Sequence, residues 1–428
     1  MRGTTSPQNI STKEQRIAEL ASWRPKRVLN PLSHFIDIEW LREAYRRTRK
    51  DGATGVDGET AAEYGARLDE NLQSLLNRVK SGLYYAPPVR RVHIPKDDGT
   101  TRPLGIPTFE DKVLQRAVVM LLEPAYEQDF LECSYGFRPG RSAHQALEAL
   151  WRQTMGMGGG WILEVDIRSY FDTLDHERLQ ELVRRRVGDG VVLRLIGKWL
   201  NAGVLEGGET RRAEQGTPQG GVVSPLLANV YLHYVLDEWF ETEVKHRLLG
   251  RAFVIRYADD FVVGFTAEED ATAVQTWLAE RFAANGLALH PEKTRLVRFG
   301  RPKDDGPAPG TFDFLGFTHH WARTAKGTWA VKRQTSRKRL ARVIRRINDS
   351  CRRRRHDPIA QQHKSLVRKL EGHYGYYGLP WNRRSLDVVR QAAQRLWHKW
   401  LSRRSQRGSI SWDRFRRLMA AYPLPRPS

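Results

Sequence analysis

Short stretches of alternating or continuous apolar residues predict β-strands at several places along the chain. Residues 89–95 alternate as a half-buried strand does, and residues 102–107 return from a predicted turn at 96–100 to complete a hairpin. Residues 161–166 predict a further strand after a glycine-rich linker, and residues 312–317 predict another strand or a turn.

A second predicted hairpin carries two adjacent carboxylates at its tip. Two apolar runs, Phe253–Ile255 and Phe261–Val263, flank the tetrapeptide Tyr257–Asp260. Adjacent carboxylates repel each other and raise one another's pKa. A hard divalent cation, which prefers oxygen ligands, would remove that cost. Because aspartate is also common in ordinary turns, the pattern leaves a plain turn open as the alternative.

Apolar residues spaced three and four apart predict helices between these strands. Leu72, Leu76 and Val79 show the pattern in the second of them. Residues 1–30 are polar and show no clear period, so the sequence predicts a loosely ordered lead there. The predicted helices cover about residues 34–49, 64–80, 109–128, 176–201, 225–245 and 267–284.

The charge of the chain indicates a polyanionic partner. The 428 residues include 71 Lys and Arg against 49 Asp and Glu, a formal net charge of +22. Nucleic acid is the simplest partner for such a chain. A solvated basic surface, a ribosome-associated role and a membrane-surface role remain alternatives.

Cysteine usage and hydropathy suggest a soluble, cytoplasmic protein. The chain has two cysteines, Cys133 and Cys351, far apart in sequence, which excludes a disulfide framework and a cysteine-rich zinc site. No apolar stretch has the length of a membrane span, and the N-terminus lacks the apolar region of a signal peptide. We therefore expect no membrane partner.

The composition shifts to a basic, mostly helical pattern from about residue 330, and we place a domain boundary near 325–335. Basic side chains interleaved with aromatic ones can hold a phosphate backbone and stack on unpaired bases. A helical bundle whose aromatic residues form its core is the alternative, favoured for most of the aromatic residues. The basic positions of the predicted helix and of the chain beyond it include Arg337, Lys338, Arg342, Arg345, Arg346, Arg403 and Arg404.

A third carboxylate, Asp166, closes the predicted strand 161–166. Taken alone, it reads as a surface residue at a strand end. Together with Asp259 and Asp260 it suggests a site for two Mg²⁺ ions about 3.5–4 Å apart, the arrangement used for in-line nucleotidyl transfer. Only the fold can bring Asp166 near the hairpin, because the two segments are far apart in sequence.

Seven sequence blocks, in order, resemble those of the reverse transcriptases encoded by bacterial group II introns. The resemblance covers roughly residues 50–425, and seven ordered blocks are far more specific than one tetrapeptide. The blocks are Arg102–Pro107, Tyr135–Ser142, Asp166–Asp172, Gly216–Pro225, Tyr257–Asp260, Gly286–Thr294 and Phe314–Phe317.

The resemblance implies a role for several residues. Asp166, Asp259 and Asp260 would be catalytic metal ligands, with Ile167 beside them in the metal site. In the fingers, the resemblance implies that two cationic residues, Lys96 and Arg102, bind the incoming triphosphate. Solvated turn charges are the alternative for both residues.

Three further residues receive nucleotide-binding roles from the resemblance. Phe171 would place a ring under the sugar and exclude a 2′-hydroxyl by steric clash, although a plain core aromatic is the alternative. Gln219 would contact the nucleotide or template from a glycine-rich turn that allows close backbone approach. Lys293 could protonate the leaving pyrophosphate, although an ordinary surface lysine fits the sequence almost equally well.

The resemblance also implies an α+β, right-hand polymerase fold, with an antiparallel sheet in fingers and palm and a helical thumb and maturase region. In the thumb and maturase region, the segments that show the resemblance are Gly372–Gly378, Trp397–Arg407 and Ser411–Trp412. The implied segments are a flexible lead at 1–33, a helical extension at 34–86, fingers and palm at 87–328, and thumb and maturase at 329–428.

The leading hypothesis is an RNA-directed DNA polymerase that also binds its intron RNA and assists splicing. The expected partners are group II intron RNA, an RNA template with a DNA primer, dNTPs and target DNA. Since the sequence ends at Ser428 without a nuclease block or cysteine quartet, we expect no cleavage of a target strand and a primer made elsewhere.

Two alternatives remain open at this point. The first is a domesticated relative that keeps the polymerase and works in phage defence or in acquisition of RNA-derived spacers. The second is an RNA chaperone without catalysis, against which the three aspartates speak.

Overall fold

The computed structural model describes residues 7–95, 101–206, 209–211, 220–302, 308–405 and 408–427. The chain forms two compact units. The first unit comprises residues 1–146, 165–263 and 269–294, and the second comprises residues 147–164, 264–268 and 295–428. The combination of helices with mixed and antiparallel sheets agrees with the predicted α+β class.

The helices and strands of these ranges are as follows. The α-helices are α1 (Pro7–Trp23), α2 (Ile38–Arg47), α3 (Ala61–Ala66), α4 (Leu68–Lys80), α5 (Phe109–Tyr126), α6 (Ala143–Met157), α7 (Tyr170–Thr173), α8 (His176–Arg184), α9 (Gly190–Leu200), α10 (Ser224–Leu232), α11 (Glu268–Ala283), α12 (Arg337–Arg353), α13 (Ile359–Tyr377), α14 (Arg383–Leu401) and α15 (Trp412–Ala421). The strands are β1 (Val89–Pro95), β2 (Thr101–Ile106), β3 (Trp161–Asp166), β4 (Val204–Glu206), β5 (Glu209–Arg211), β6 (Ala252–Tyr257), β7 (Asp260–Phe265), β8 (Arg295–Arg298), β9 (Phe312–Phe314), β10 (Phe317–Arg323) and β11 (Trp329–Thr335). Within the described ranges, no helix combines the length and the apolar character needed to cross a bilayer.

The N-terminal segment is a helix where the sequence analysis predicted a loosely ordered lead. Helix α1 buries Ile10, Ile17 and Ala21, which fall on one helical face, and it packs against α5. Six polar residues separate Ile10 from Ile17, which weakens the period, and burial against a neighbouring helix supplies the missing stability. The prediction of a flexible lead is therefore wrong for residues 7–23.

The helices predicted before the first hairpin are confirmed, with changed boundaries. Helix α2 begins after Asp37, whose Oδ1 accepts a hydrogen bond from Trp40 N at 2.9 Å. The buried Trp40 ring donates from Nε1 to the Ala117 carbonyl of α5 at 2.9 Å. A capping box between Thr60 and Glu63 starts α3. The caps define where α2 and α3 begin, and the contact with α5 holds α2 within the first unit.

The first sheet contains the predicted hairpin at 89–107. Its strand order is β2-β1-β4-β5, and β1 pairs antiparallel with β2 in a register that places Ile94 opposite Arg102. Strand β1 also pairs with β4 in parallel, and β4 pairs with β5 antiparallel. The predicted turn at 96–100 lies outside the described residues.

The second sheet contains both carboxylate-bearing segments. Its strand order is β6-β7-β3-β8. Strand β6 ends at Tyr257 and β7 begins at Asp260, so the predicted aspartate hairpin is confirmed. Strand β3 ends at Asp166, as the sequence predicted.

One of the predicted helices is interrupted, and another changes its winding. The segment 176–201 forms α8 and α9, and Asp189 starts the second of them by accepting hydrogen bonds from Val191 N and Val192 N. The segment 225–245 begins as α10 and continues through two π-helical segments, His233–Asp237 and Phe240–Val244. The first of these π-helical segments ends at Asp237, whose side chain is buried.

The second unit combines a small sheet with the C-terminal helices. The sheet has the order β11-β10-β9, and its strands pair antiparallel. The fully buried Asn382 accepts a hydrogen bond from Thr335 N at 2.7 Å and donates to the Tyr377 carbonyl at 2.8 Å. This amide therefore ties the end of β11 to the loop between α13 and α14. Trp397, Leu370 and Phe415 lie in the core of the helical part.

Candidate active site

The turn between β6 and β7 presents one carboxylate to solvent and half-buries the other. Asp260 is exposed, whereas Asp259 is half-buried. Ala258 has a φ of +58°, a left-handed conformation that is uncommon for a residue with a side chain. A Cβ atom on Gly136 would lie 2.3 Å from Ala258 N. The backbone at Gly136 therefore packs against the hairpin tip, and only glycine permits that approach.

Asp166 lies at the end of β3, where a second segment runs beside it. The Asp166 carbonyl accepts a hydrogen bond from His290 N at 2.8 Å, and Arg168 N donates to the Ala288 carbonyl at 2.8 Å. This pairing brings Lys293 to the site, where its Nζ lies 3.2 Å from Asp166 Oδ2. The predicted blocks at 166–172 and 286–294 are thus joined by main-chain pairing.

The electrostatics of Asp259 connect three of the predicted residues. Burial raises the pKa of Asp259 above its usual range, the Arg102 cation acts to lower it, and the Asp166 charge acts to raise it further. Arg102 itself is exposed on β2. The fold therefore brings Asp166, Asp259 and Arg102 within electrostatic range of one another, although they come from three separate sequence blocks.

The carboxylates suit a hard divalent cation, although they do not form a complete cage by themselves. Among the described residues, no group of three or more His, Cys, Asp or Glu side chains is arranged to hold a metal ion. Mg²⁺ is usually bound through one or two carboxylates together with substrate phosphates. The buried Ile167 side chain leaves only its main-chain oxygen as a donor. The negative charges of these carboxylates disfavour one another, and a divalent cation relieves that repulsion. The site therefore fits a cation that binds together with the incoming triphosphate.

Phe171 lies next to a firmly anchored tyrosine. The hydroxyl of the buried Tyr170 donates to the Ala228 carbonyl at 2.7 Å. Phe171 is half-buried, and its ring centroid lies 5.3 Å from that of Tyr170. The short helix α7 thus buries Tyr170 and leaves part of the Phe171 ring accessible. The proposed contact with the sugar stays a prediction.

Lys96 and Gln219 lie outside the described residues, but the described end of the Gly216–Pro225 block is held by a residue of α5. Gln115 of α5 is buried, and its Oε1 accepts hydrogen bonds from Val222 N at 2.7 Å and Val223 N at 3.4 Å. The sequence analysis missed Gln115. Its signal was an amide in the helical stretch 113–122, which is apolar apart from Gln115 and Arg116, since a buried amide needs hydrogen-bond partners.

The basic residues predicted to bind RNA differ in exposure. Arg345 and Arg346 are exposed on α12, as are Arg337 and Lys338 at its start, while Arg342 is half-buried. Arg403 is exposed and places its guanidinium 5.7 Å from the Trp400 ring centroid. The half-buried Arg404 donates to the Asp357 carbonyl at 2.6 Å, so this side chain stabilises the helical unit.

Most of the C-terminal aromatic residues pack within the protein, as the bundle alternative predicted. Trp397 is fully buried. Tyr376 donates to the Leu315 carbonyl at 2.9 Å, and the Tyr377 ring lies 5.0 Å from the Phe317 ring. Tyr376 and Tyr377 of the 372–378 block therefore pack against the 314–317 block, whereas the Tyr374 hydroxyl donates to the Pro425 carbonyl.

The fold and the site correspond to a known family of polymerases. The sequence profile described as reverse transcriptase (RNA-dependent DNA polymerase) matches residues 94–319, just over half of the chain. The chain belongs to this family and is an RNA-directed DNA polymerase, with the α+β polymerase fold that the sequence analysis expected. The family uses divalent metal ions.

Named relatives place the chain more closely. It is 39% identical over 288 residues to protein YkfC of Escherichia coli, covering 59% of this chain and 75% of YkfC. It is 46% identical over 200 residues to the group II intron-encoded protein LtrA of Lactococcus lactis, covering 46% of this chain and 32% of LtrA. The mitochondrial nuclear intron maturase 2 of Arabidopsis thaliana is 28% identical over 244 residues, covering 47% of this chain and 31% of that protein. The resemblance to group II intron-encoded reverse transcriptases is confirmed.

Proposed function

We propose that the chain copies RNA into cDNA by two-metal nucleotidyl transfer where β3 meets the β6–β7 turn. The observation that carries the proposal is the electrostatic effect of both Asp166 and Arg102 on Asp259. Two carboxylates can hold metal ions, and a nearby cation can neutralise a triphosphate, so this combination suits nucleotidyl transfer from a nucleoside triphosphate. Asp260, the adjacent exposed residue of the turn, supplies the third carboxylate.

Asp166, Asp259 and Asp260, with the main-chain oxygen of Ile167, would hold two Mg²⁺ ions. When bound, such ions activate a 3′-hydroxyl and neutralise the leaving pyrophosphate. The role of the protein is to fix the carboxylates on strand ends, where the sheet limits their movement. Such positioning lowers the reorganisation needed during transfer.

The remaining residues of the site act on the incoming nucleotide. Arg102, together with Lys96, binds the triphosphate, and Phe171 excludes the 2′-hydroxyl of a ribonucleotide. Gln219 contacts the nucleotide or template. Lys293, whose Nζ contacts Asp166, is close enough to the carboxylates to donate a proton to the leaving pyrophosphate.

We further propose that the basic face of α12 binds a group II intron RNA and that this binding assists splicing. The net charge of +22 and the exposed arginines of α12 support an RNA partner. The names of LtrA and of the plant maturase support an intron RNA in particular. The chain's other partners would be an RNA template with a DNA primer, dNTPs and target DNA.

The combined substitution Asp259→Ala and Asp260→Ala tests the polymerase site. We expect it to abolish cDNA synthesis on a primed RNA template, because the carboxylates of the turn are lost, and to leave RNA binding unchanged. The control is Asp69→Ala with Glu70→Ala, an exposed adjacent acidic pair at the start of α4. Full cDNA synthesis by the Asp259 and Asp260 variant would refute the site assignment.

The same variant separates polymerisation from splicing. Splicing of the RNA that flanks the gene, measured at low Mg²⁺ with and without protein, should be accelerated equally by the unchanged and the substituted chain. Absence of acceleration by either protein would contradict the maturase role and favour the domesticated alternative.

A further inference from the structure

Strand β6 buries an arginine next to the candidate metal site. Arg256 is fully buried between the apolar residues of the strand and Tyr257. Moving a guanidinium out of water is energetically costly unless the group is paired and hydrogen-bonded. Because a chain of this length has many solvent-exposed positions for an arginine, the burial of Arg256 requires a structural explanation.

The environment of Arg256 satisfies its guanidinium completely. Nε donates to Asp237 Oδ1 at 2.8 Å, and Nη2 donates to Asp237 Oδ2 at 2.5 Å, which makes a bidentate pair with a carboxylate that is itself fully buried. Nη2 also donates to Ser134 Oγ at 2.7 Å. Nη1 donates to Asn229 Oδ1 at 2.9 Å and to the Ala258 carbonyl at 3.0 Å. These bonds use all five N–H groups that an arginine offers.

The bond to Ala258 reaches the turn that carries the carboxylates. Ala258 is the left-handed residue of that turn, and its neighbour is Asp259. A left-handed conformation is unfavourable for a residue with a side chain, so surrounding contacts must hold it. The bond from Arg256 is such a contact, since it fixes the carbonyl of the strained residue.

The same network holds the segment that packs against the turn. Arg256 N donates to the Cys133 carbonyl at 2.8 Å, and Tyr135 N donates to the Arg256 carbonyl at 2.9 Å. Asn229 Nδ2 donates to the Gly136 carbonyl at 2.6 Å. The turn is therefore held from inside by the guanidinium and from outside by the backbone at Gly136.

We propose that Arg256 and Asp237 form a buried positioning pair that fixes the Tyr257–Asp260 turn and thereby sets the affinity of Asp259 for its divalent cation. The inference rests on the proposed function, because it assumes that Asp259 is a metal ligand. Both members of the pair are fully buried, which keeps them from direct contact with a substrate. Their effect passes through the Ala258 carbonyl and the backbone of the turn.

The network requires the planar guanidinium of arginine, whose N–H groups point in several fixed directions. A lysine at this position keeps the positive charge opposite Asp237, but its single ammonium cannot reach Asp237, Asn229, Ser134 and Ala258 in the directions that a planar guanidinium serves. Arg256→Lys therefore removes the geometric role while it retains most of the electrostatic one.

The test compares Arg256→Lys with a matched buried arginine that has no partner in the turn. Arg186 is also fully buried, pairs with Asp129 at 2.6 Å and donates to the carbonyls of Ala21, Arg24 and Arg27. Both substitutions should lower thermal stability. We expect only Arg256→Lys to weaken Mn²⁺ binding, measured by electron paramagnetic resonance, by about 10- to 100-fold, the usual effect of losing a residue that orients a metal ligand.

Kinetics give a second readout. Arg256→Lys should raise the divalent-cation concentration needed for half-maximal cDNA synthesis and leave the dNTP KM within about threefold, because the contacts to the triphosphate are unchanged. If Arg256→Lys and Arg186→Lys lose stability alike and neither changes Mn²⁺ affinity, the pair is only structural and the inference is overturned.

Two further variants keep the test decisive. If Arg256→Lys fails to fold, Asn229→Ala removes an acceptor of the same Nη1 and the donor to Gly136, and unchanged Mn²⁺ affinity in that variant overturns the inference. Asp259→Ala with Asp260→Ala shows whether the ion binds at the turn at all. Unchanged Mn²⁺ binding there would refute the proposed metal site, whereas loss there with no effect at Arg256 or Asn229 would refute only the positioning role.

Discussion

Asp111 lies buried in the first turn of α5 and receives a hydrogen bond from the Tyr84 hydroxyl, which in turn accepts one from Trp199 Nε1 at 3.0 Å. Burial raises the pKa of Asp111 to about 7, and the Tyr84 bond only partly opposes this shift. The folded chain therefore holds this proton more tightly than the unfolded chain. The stability that Asp111 contributes through this raised pKa is fully present below about pH 4. It is lost as the pH rises through 7.

Asp111→Asn should remove this pH dependence, because an amide accepts the Tyr84 bond and does not ionise. Relative to the unchanged chain, the variant should gain stability as the pH rises from about 5 to 8. Urea unfolding at both pH values measures the difference. The exposed Asp69→Asn serves as control, and the same stability difference at pH 5 and pH 8 for Asp111→Asn would contradict the expectation.

Phe171 offers a test of sugar selection at a single residue. Replacing it with alanine should admit ribonucleotides, raising rNTP incorporation relative to dNTP by about 10- to 100-fold, since a steric clash is removed while dNTP contacts remain. Primer extension with each nucleotide class measures the ratio, and the dNTP rate of the same variant is the internal control. An unchanged ratio would show that the ring is only a packing residue.

Helix α12 is the element with the clearest division between a packing face and a charged face. Ile347 and Cys351 are buried on one side, and Arg345 and Arg346 are exposed on the other. Because the exposed arginines take no part in the core, they are free to neutralise phosphates.

Arg345→Gln with Arg346→Gln should weaken RNA binding and reduce the slope of log affinity against log salt by about 1–2, one unit per lost phosphate contact. Filter binding at several salt concentrations gives the slope. The control is Arg46→Gln with Arg152→Gln, which removes two exposed arginines that pair with Glu43 and Glu148 on their own helices. Equal slopes for the two double variants would exclude α12 as the specific surface.

At the scale of the whole molecule, the excess of positive charge should dominate RNA affinity. With a formal net charge of +22, the chain can release many counterions from a bound RNA. We expect affinity to fall on the order of 10³-fold between about 50 and 200 mM salt. A flat profile would mean that the basic residues do not contact phosphates. The measurement needs the full chain and an RNA of defined sequence.

The sequence alone identified the carboxylate hairpin, the strand that ends at Asp166, most of the helices and the family, because each depends on local periodicity or on ordered motifs. It missed helix α1, whose few apolar positions gain their stability from burial against α5, and it missed the break after α8 and the π-helical winding after α10.

The tertiary structure alone decided which distant residues meet. Main-chain pairing of 166–168 with 288–290 brings Lys293 to Asp166. The buried polar groups Gln115, Asp237 and Arg256 acquire a role through partners on other elements of the fold, such as Val222 for Gln115 and Ser134 for Arg256, and no local pattern encodes such partners. Periodicity is a property of neighbouring residues, whereas an active site depends on long-range contacts that only the folded chain creates.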